Sequence, residues 1–99
     1  MKVSLTDGAL ADIEEQLEFL EGMSPSAAGR LQARIEELIV LLGDFPEAGP
    51  ETEEPGVRRV NTTPFRHFIL YEIVDAALVV LALRHGARDP DAAIPRYSR

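Results

Sequence analysis

Between residues 65 and 89 the chain alternates and then loses its polar positions, the pattern of two adjacent strands. Side chains alternate faces along a strand, so Phe65, His67, Ile69, Tyr71 and Ile73 share one side of a first arm spanning 65 to 74. Arg66, Phe68, Leu70, Glu72 and Val74 take the other. A second arm, Leu78 to Leu83, is apolar on both sides and partly β-branched, as suits a strand covered on both faces. Asp75-Ala76 breaks the two arms into a hairpin, although it lacks the Asn-Gly or Asp-Gly that would set the register.

Upstream the period changes to that of helices. Lys2 to Thr6 is a short strand candidate, and Asp7 is placed to cap a helix whose stripe is Leu10, Ile13, Leu17 and Leu20, with Gly22 at its end. Ser24-Pro25 opens a second helix with a cap residue followed by proline where its missing N–H is harmless. Leu31, Ile35, Leu38 and Leu42, widened by Ala28 and Ile39, form its buried seam, and Gly43 is the expected stop. So short a joint folds the helices back on each other. Residues 44 to 56 hold three prolines and four glutamates and read as a solvated acidic loop anchored in the core by Phe45, with a mobile flap or a decoy for a basic partner as the functional alternative. Val57 to Thr62 is a further strand, Pro64 turns the chain into the hairpin, and the segment after Arg88 reads as irregular and partly frayed. Paired helices followed by a run of strands predict an α+β fold. An N-terminal strand and a two-helix hairpin pack on a mainly antiparallel β-sheet, in one domain spanning residues 1 to 99.

Composition adds exclusions. A chain of 99 residues supports one modest core, and the absence of cysteine removes disulfides and thiolate metal sites. There is no apolar run long enough to span a membrane and no basic-then-apolar leader, so a cytoplasmic protein is expected. The net charge of −7 makes sequence-specific nucleic-acid binding unexpected, since phosphate neutralisation supplies most of that affinity. The charge is uneven: residues 1 to 56 carry a net −10, residues 57 to 99 a net +3. Nine of the ten basic residues are arginine, which suits planar pairing with carboxylates at a protein interface and equally fits a GC-rich coding sequence. His67 and His85 would face each other across the hairpin near Arg66 and Arg84, but two histidines among arginines are too few ligands for a metal. Tyr71 is expected to pack its ring in the sheet and find a partner for its hydroxyl. No acid–histidine pair or serine motif supports hydrolase chemistry, and no cofactor is implied.

The succession of a helical hairpin, Phe45-Pro46, Gly56-Val57-Arg58, Phe68-Ile69-Leu70-Tyr71 and His85-Gly86-Ala87-Arg88-Asp89 resembles the ParE/RelE superfamily, the toxins of bacterial type II toxin–antitoxin modules. The resemblance implies a cognate antitoxin partner in a hetero-oligomer and one of two activities: RelE-type ribosome-dependent cleavage of messenger RNA, or ParE-type poisoning of DNA gyrase. RNA cleavage needs a general base or acid and cations for the charged transition state. Laid on this chain, the two lysine positions of the RelE branch fall on Val60 and Thr62, and an arginine position falls on Phe68. Arg88 alone is retained, and Tyr97 stands beyond its expected place; a shifted alignment would bring in Arg66 or His67. Each missing donor of this kind removes about 2.7–4 kcal/mol of transition-state stabilisation. The expectation is therefore a gyrase inhibitor without catalytic residues, closer to ParE. A RelE-type endonuclease is the first alternative and a non-toxic antitoxin-binding subunit the second. Antitoxin or target contact is expected at Arg58, Arg59 and Arg66, exposed arginines beside the apolar Phe68. His85 and Arg88 either join that surface or hold the last loop.

Overall fold

The computed structural model describes residues 1–86, in the order β1 (Lys2–Leu5), α1 (Asp7–Met23), α2 (Pro25–Asp44), β2 (Val57–Asn61), β3 (His67–Val74) and β4 (Ala77–His85). The strands form one sheet in the order β1-β4-β3-β2. β2, β3 and β4 are an antiparallel meander, whereas β1 runs parallel to β4, so the sheet is mixed. The helical hairpin covers one face. Leu31, Ile35, Leu38 and Leu42 of α2 meet Ile69, Tyr71, Leu78, Val80 and Leu83 of the hairpin strands, with Ile13, Leu17 and Leu20 of α1 packed alongside. The opposite face carries a second buried cluster, including Val57, Phe68, Leu70, Val79 and Leu81.

Several local expectations are corrected. Thr6, not Asp7, caps α1: its Oγ1 accepts the Ala9 N–H at 3.0 Å, and Asp7 is the first helical residue. Ala9 is fully buried and Leu10 is 47% exposed, so the inward stripe of α1 begins on the smaller residue. Gly22 and Gly43 lie inside the last turns, not beyond them, because the chain leaves the helices through Ser24, which is extended, and Phe45, which is no longer helical. Gly43 serves instead as a close approach, since a Cβ there would sit 3.3 Å from the Met1 carbonyl oxygen. Phe45 does not anchor the acidic loop; its side chain is 62% exposed. Phe65 and Arg66 belong to the turn before β3, and β4 runs past Leu83 through Arg84 to His85.

One irregularity decides which residues share a face. Tyr71 pairs with Val80 but Leu70 pairs with Ala82, so Leu81 is an extra residue, a β-bulge in β4. The bulge reverses the alternation and turns Leu83 toward the helices with Leu78 and Val80. β1 accompanies β4 only as far as Val80. Beyond that point the start of α1 meets the strand: the Thr6 hydroxyl donates to the Leu81 carbonyl at 3.3 Å, and the Leu83 N–H donates to Asp12 Oδ2 at 3.1 Å. Polar backbone that would otherwise be unmatched at a sheet edge is thereby satisfied.

Candidate contact surface and loop clamp

The arginines named from the sequence separate onto different faces. Arg59 and Phe68 point away from the helices. The Arg59 guanidinium lies 3.8 Å above the centroid of the Phe68 ring, and its Nε donates to Asn61 Oδ1 at 3.1 Å. Phe68 is directly opposite Arg84, which places a second arginine on that face. Arg84 was visible in the sequence only beside the histidines, because the bulge at Leu81 changes the side it takes. Phe68 itself is buried, at 4% exposure. It supports Arg59 from below and offers little of its own surface. Arg66 is exposed in the preceding turn, where its carbonyl accepts the Gly86 N–H at 2.8 Å.

His67 and His85 meet as expected, edge to face with ring centroids 4.9 Å apart. They lie toward the helices, and His67 Nε2 shares a 2.9 Å hydrogen bond with Gln16 Oε1 of α1. His85 is thus the last residue of β4 and not part of a loop beyond it. Among the described residues no group of three or more His, Cys, Asp or Glu side chains is placed to hold a metal ion. Arg88 lies outside the described residues.

Arg58 takes the other side of β2 and holds the acidic loop. Its Nη1 donates to the carbonyls of Gly49 at 2.7 Å and Glu47 at 3.4 Å. Tyr71 completes this clamp from the sheet. Its ring is fully buried, its hydroxyl donates to the Pro46 carbonyl at 2.8 Å, and it accepts the Gly49 N–H at 2.9 Å. The loop crosses at contact distance: a Cβ on Gly49 would lie 2.5 Å from the Arg59 carbonyl oxygen and 2.9 Å from the Tyr71 hydroxyl. Farther on, the Arg59 N–H donates to Pro50 and the Thr52 N–H to Val57, so residues 50 to 52 cover the outer edge of β2. Arg34 provides a second tie: its Nε donates to the Thr63 carbonyl at 2.9 Å, joining α2 to the turn between β2 and β3.

Burial holds the Tyr71 hydroxyl in its protonated form above its usual range, against the smaller opposing effects of the Gly49 N–H and Arg58. Folding stability is therefore undiminished by this group below the unfolded pKa of about 10. It falls as pH rises toward the folded pKa, by up to about 1.4 kcal/mol per pH unit. Urea denaturation of the wild type and Tyr71→Phe from about pH 9 to about pH 11 checks this: the stability difference between them should shrink as pH rises.

Described residues include no helix long and apolar enough to cross a membrane. Comparison with known proteins now gives the molecule a family. The model of the ParE toxin of the type II toxin–antitoxin system parDE matches residues 3–90. Toxin ParE2 of Mycobacterium tuberculosis, strain CDC 1551 / Oshkosh, is 40% identical over 35 residues, 35% of this chain and 33% of the relative. Toxin ParE2 of strain ATCC 25618 / H37Rv matches identically, so the chain spans about a third of the length of the curated relatives it matches. In three dimensions the chain is similar to a structure of the chromosomal ParDE toxin–antitoxin system of Pseudomonas aeruginosa, with a TM-score of 0.76 at 20% identity over 86% of this chain and 95% of that one. A copper-bound mutant toxin from Helicobacter pylori follows at a TM-score of 0.60 and 19% identity, covering 88% of this chain and 96% of that chain. At these identities the two structures attest the fold, and the family rests on the match over nearly the whole chain. With its helical hairpin laid across a four-stranded mixed sheet, this α+β protein belongs to the ParE toxin family of type II toxin–antitoxin systems.

Proposed function

We propose that this toxin acts by binding and not by catalysis: it poisons DNA gyrase when free and is held inactive in a complex with its cognate antitoxin. One observation carries the non-catalytic reading. The positions at which a ribonuclease of the RelE branch would hold its cations are packed into the sheet. Val60 lies against the helix-side core, Thr62 is fully buried with its hydroxyl donating to the His67 carbonyl at 2.9 Å, and Phe68 is buried on the opposite face. His67, the nearest candidate base, is buried and engaged with Gln16. Cations would have to reach a scissile phosphate from these positions, which the buried Thr62 and Phe68 sites do not permit and only the half-buried Val60, on the edge strand, leaves room for.

Support for an antitoxin partner comes from family membership and from the likeness to a ParDE toxin–antitoxin structure. The contact residues we assign are Arg59, braced on Phe68, and the exposed Arg66, with His85 at the same end of the hairpin, Arg58 as the support of the neighbouring loop, and Arg88 assigned from the sequence alone. Guanidinium groups held on an apolar base suit bidentate pairing with partner carboxylates.

Induction of this chain without its antitoxin tests the proposal, with DNA integrity, DNA supercoiling and protein synthesis followed together. The expected result is early DNA breakage and an SOS response while translation continues. Prompt translation arrest with cut messages would return the function to the RelE type, with Arg66, His67 and Arg88 as its catalytic candidates. Unimpaired growth would identify a non-toxic binding subunit.

A further inference from the structure

The end of α2 and the loop after it enclose an open hollow of about 550 Å³ lined by Leu41, Asp44, Phe45, Pro46, Glu47 and Ala48. Its apolar side chains are displayed outward: Phe45 is 62% exposed, Leu41 39%, and Val40 on the next helical column 67%. Single exposed apolar residues are ordinary, but a contiguous group on a rigid base marks a contact surface. This base is rigid. The Phe45 N–H donates to Leu41, the Ala48 N–H donates to Phe45, and the clamp of Tyr71 and Arg58 fixes Pro46, Glu47 and Gly49 from beneath. A surface organised before binding loses little entropy when a partner arrives.

The electrostatic setting narrows the partner. From residue 35 to residue 57 the chain carries seven acidic side chains and no basic one. Two of these, Asp44 and Glu47, line the hollow itself. The hollow therefore combines an apolar floor with a negative rim, the reverse of the arginine-bearing end of the hairpin. Phosphate-rich partners are repelled by such a rim, and acidic peptides equally so.

We propose that this hollow docks a cationic segment of a partner protein, in which one bulky apolar side chain is flanked by lysine or arginine. The apolar side chain covers Phe45 and Leu41, and the flanking cations meet Asp44 and Glu47. This surface is separate from the Arg59 and Arg66 contact proposed above, and the inference does not depend on which cellular target the toxin attacks.

The test uses the whole chain, nitrogen-15 labelled, and a short synthetic amphipathic peptide of leucine and lysine. Saturable shifts are expected at the amides of Leu41, Asp44, Phe45, Glu47 and Ala48. Affinity should fall about tenfold or more in Phe45→Ser, and similarly in the Asp44→Lys, Glu47→Lys double variant. A peptide with its leucines changed to alanine, equal in charge, should bind no better to the wild type than to Phe45→Ser. All three altered side chains are exposed, so an unchanged thermal melt is the expected sign that each variant folds. Shifts spread over the acidic helix faces and indifferent to Phe45→Ser would overturn the proposal, leaving only diffuse charge attraction. Equal binding of a leucine–glutamate peptide would do the same. Concentration-dependent shifts at these amides without any peptide would reassign the hollow to a second copy of this chain.

Discussion

Tyr71→Ala is expected to lower the melting temperature by about 20 °C or more, the largest loss from any single truncation of this domain. Tyr71 heads the fully buried side chains by volume and joins the core beneath the helices to the loop over β2. Removing a buried aromatic ring costs about 3–5 kcal/mol, and each kcal/mol moves the midpoint of a domain this size by roughly 4–8 °C. The hydroxyl adds its own share. Without it the Gly49 N–H and the Pro46 carbonyl lose their partner under a loop too tightly laid to admit a Cβ at position 49. Tyr71→Phe separates the two contributions. It keeps the ring, and its expected cost is about 1–3 kcal/mol, the penalty for leaving a buried polar group unmatched. Hydrogen exchange at the Gly49 amide gives an independent reading, because it should accelerate in Tyr71→Phe while amides in the centre of α2 stay protected. If Gly49 exchange is unchanged, Arg58 holds the loop alone.

Much of this architecture could be read directly from side-chain periodicity. Leu31, Ile35, Leu38 and Leu42 recur at helical spacing and form the seam of α2, and the wholly apolar run Leu78 to Leu83 is buried on both faces of the sheet. What escaped the reading has physical causes. The bulge at Leu81 leaves no mark, because a run apolar on both faces keeps its composition when the register slips by one. That slip is what brings Arg84 to the face of Arg59, so the composition of the contact surface was as hidden as the bulge. Thr6 and Asp7 are both good cap residues, and only the backbone decides between them. Leu10 outranks Ala9 by hydrophobicity, yet α1 turns Ala9 inward, fully buried, and leaves Leu10 47% exposed. Phe45 looked like an anchor because large aromatics are usually covered, whereas Tyr71 already fills the space under its loop. Phe68, expected at the contact beside its arginine neighbours, lies buried beneath the guanidinium of one of them, a pairing that spacing along the chain does not show.

Writing the missing cations of a RelE-type site back into this chain is expected to damage the fold before it creates any activity. Thr62→Lys replaces a fully buried side chain whose hydroxyl donates to the His67 carbonyl, at the point where the Thr62 N–H donates to the same oxygen. An ammonium there has no carboxylate partner in the hydrogen bonds around the turn, and an uncompensated buried charge costs about 3–5 kcal/mol. Phe68→Arg removes a buried ring, a loss of about 3–5 kcal/mol for truncation alone, and sets a third guanidinium between Arg59 and Arg84. Val60→Lys should be the mildest, because Val60 is only half-buried on the outermost strand and a lysine stem can carry its charge to the edge. The expected order of urea midpoints is therefore wild type, then Val60→Lys, then the other two, with none of the variants gaining cleavage of messages on translating ribosomes. That order matters for function as well as stability. A ribonuclease site at these positions requires them to face solvent, and this sheet uses Thr62 and Phe68 to close its own core. Should Thr62→Lys retain wild-type stability, the turn after β2 must open readily enough to expose it. Packing at position 62 would then no longer stand against catalysis there. Should it unfold as expected, the two activities of the superfamily are separated by packing: the side chains that complete the core here occupy the places where a nuclease would need its charges.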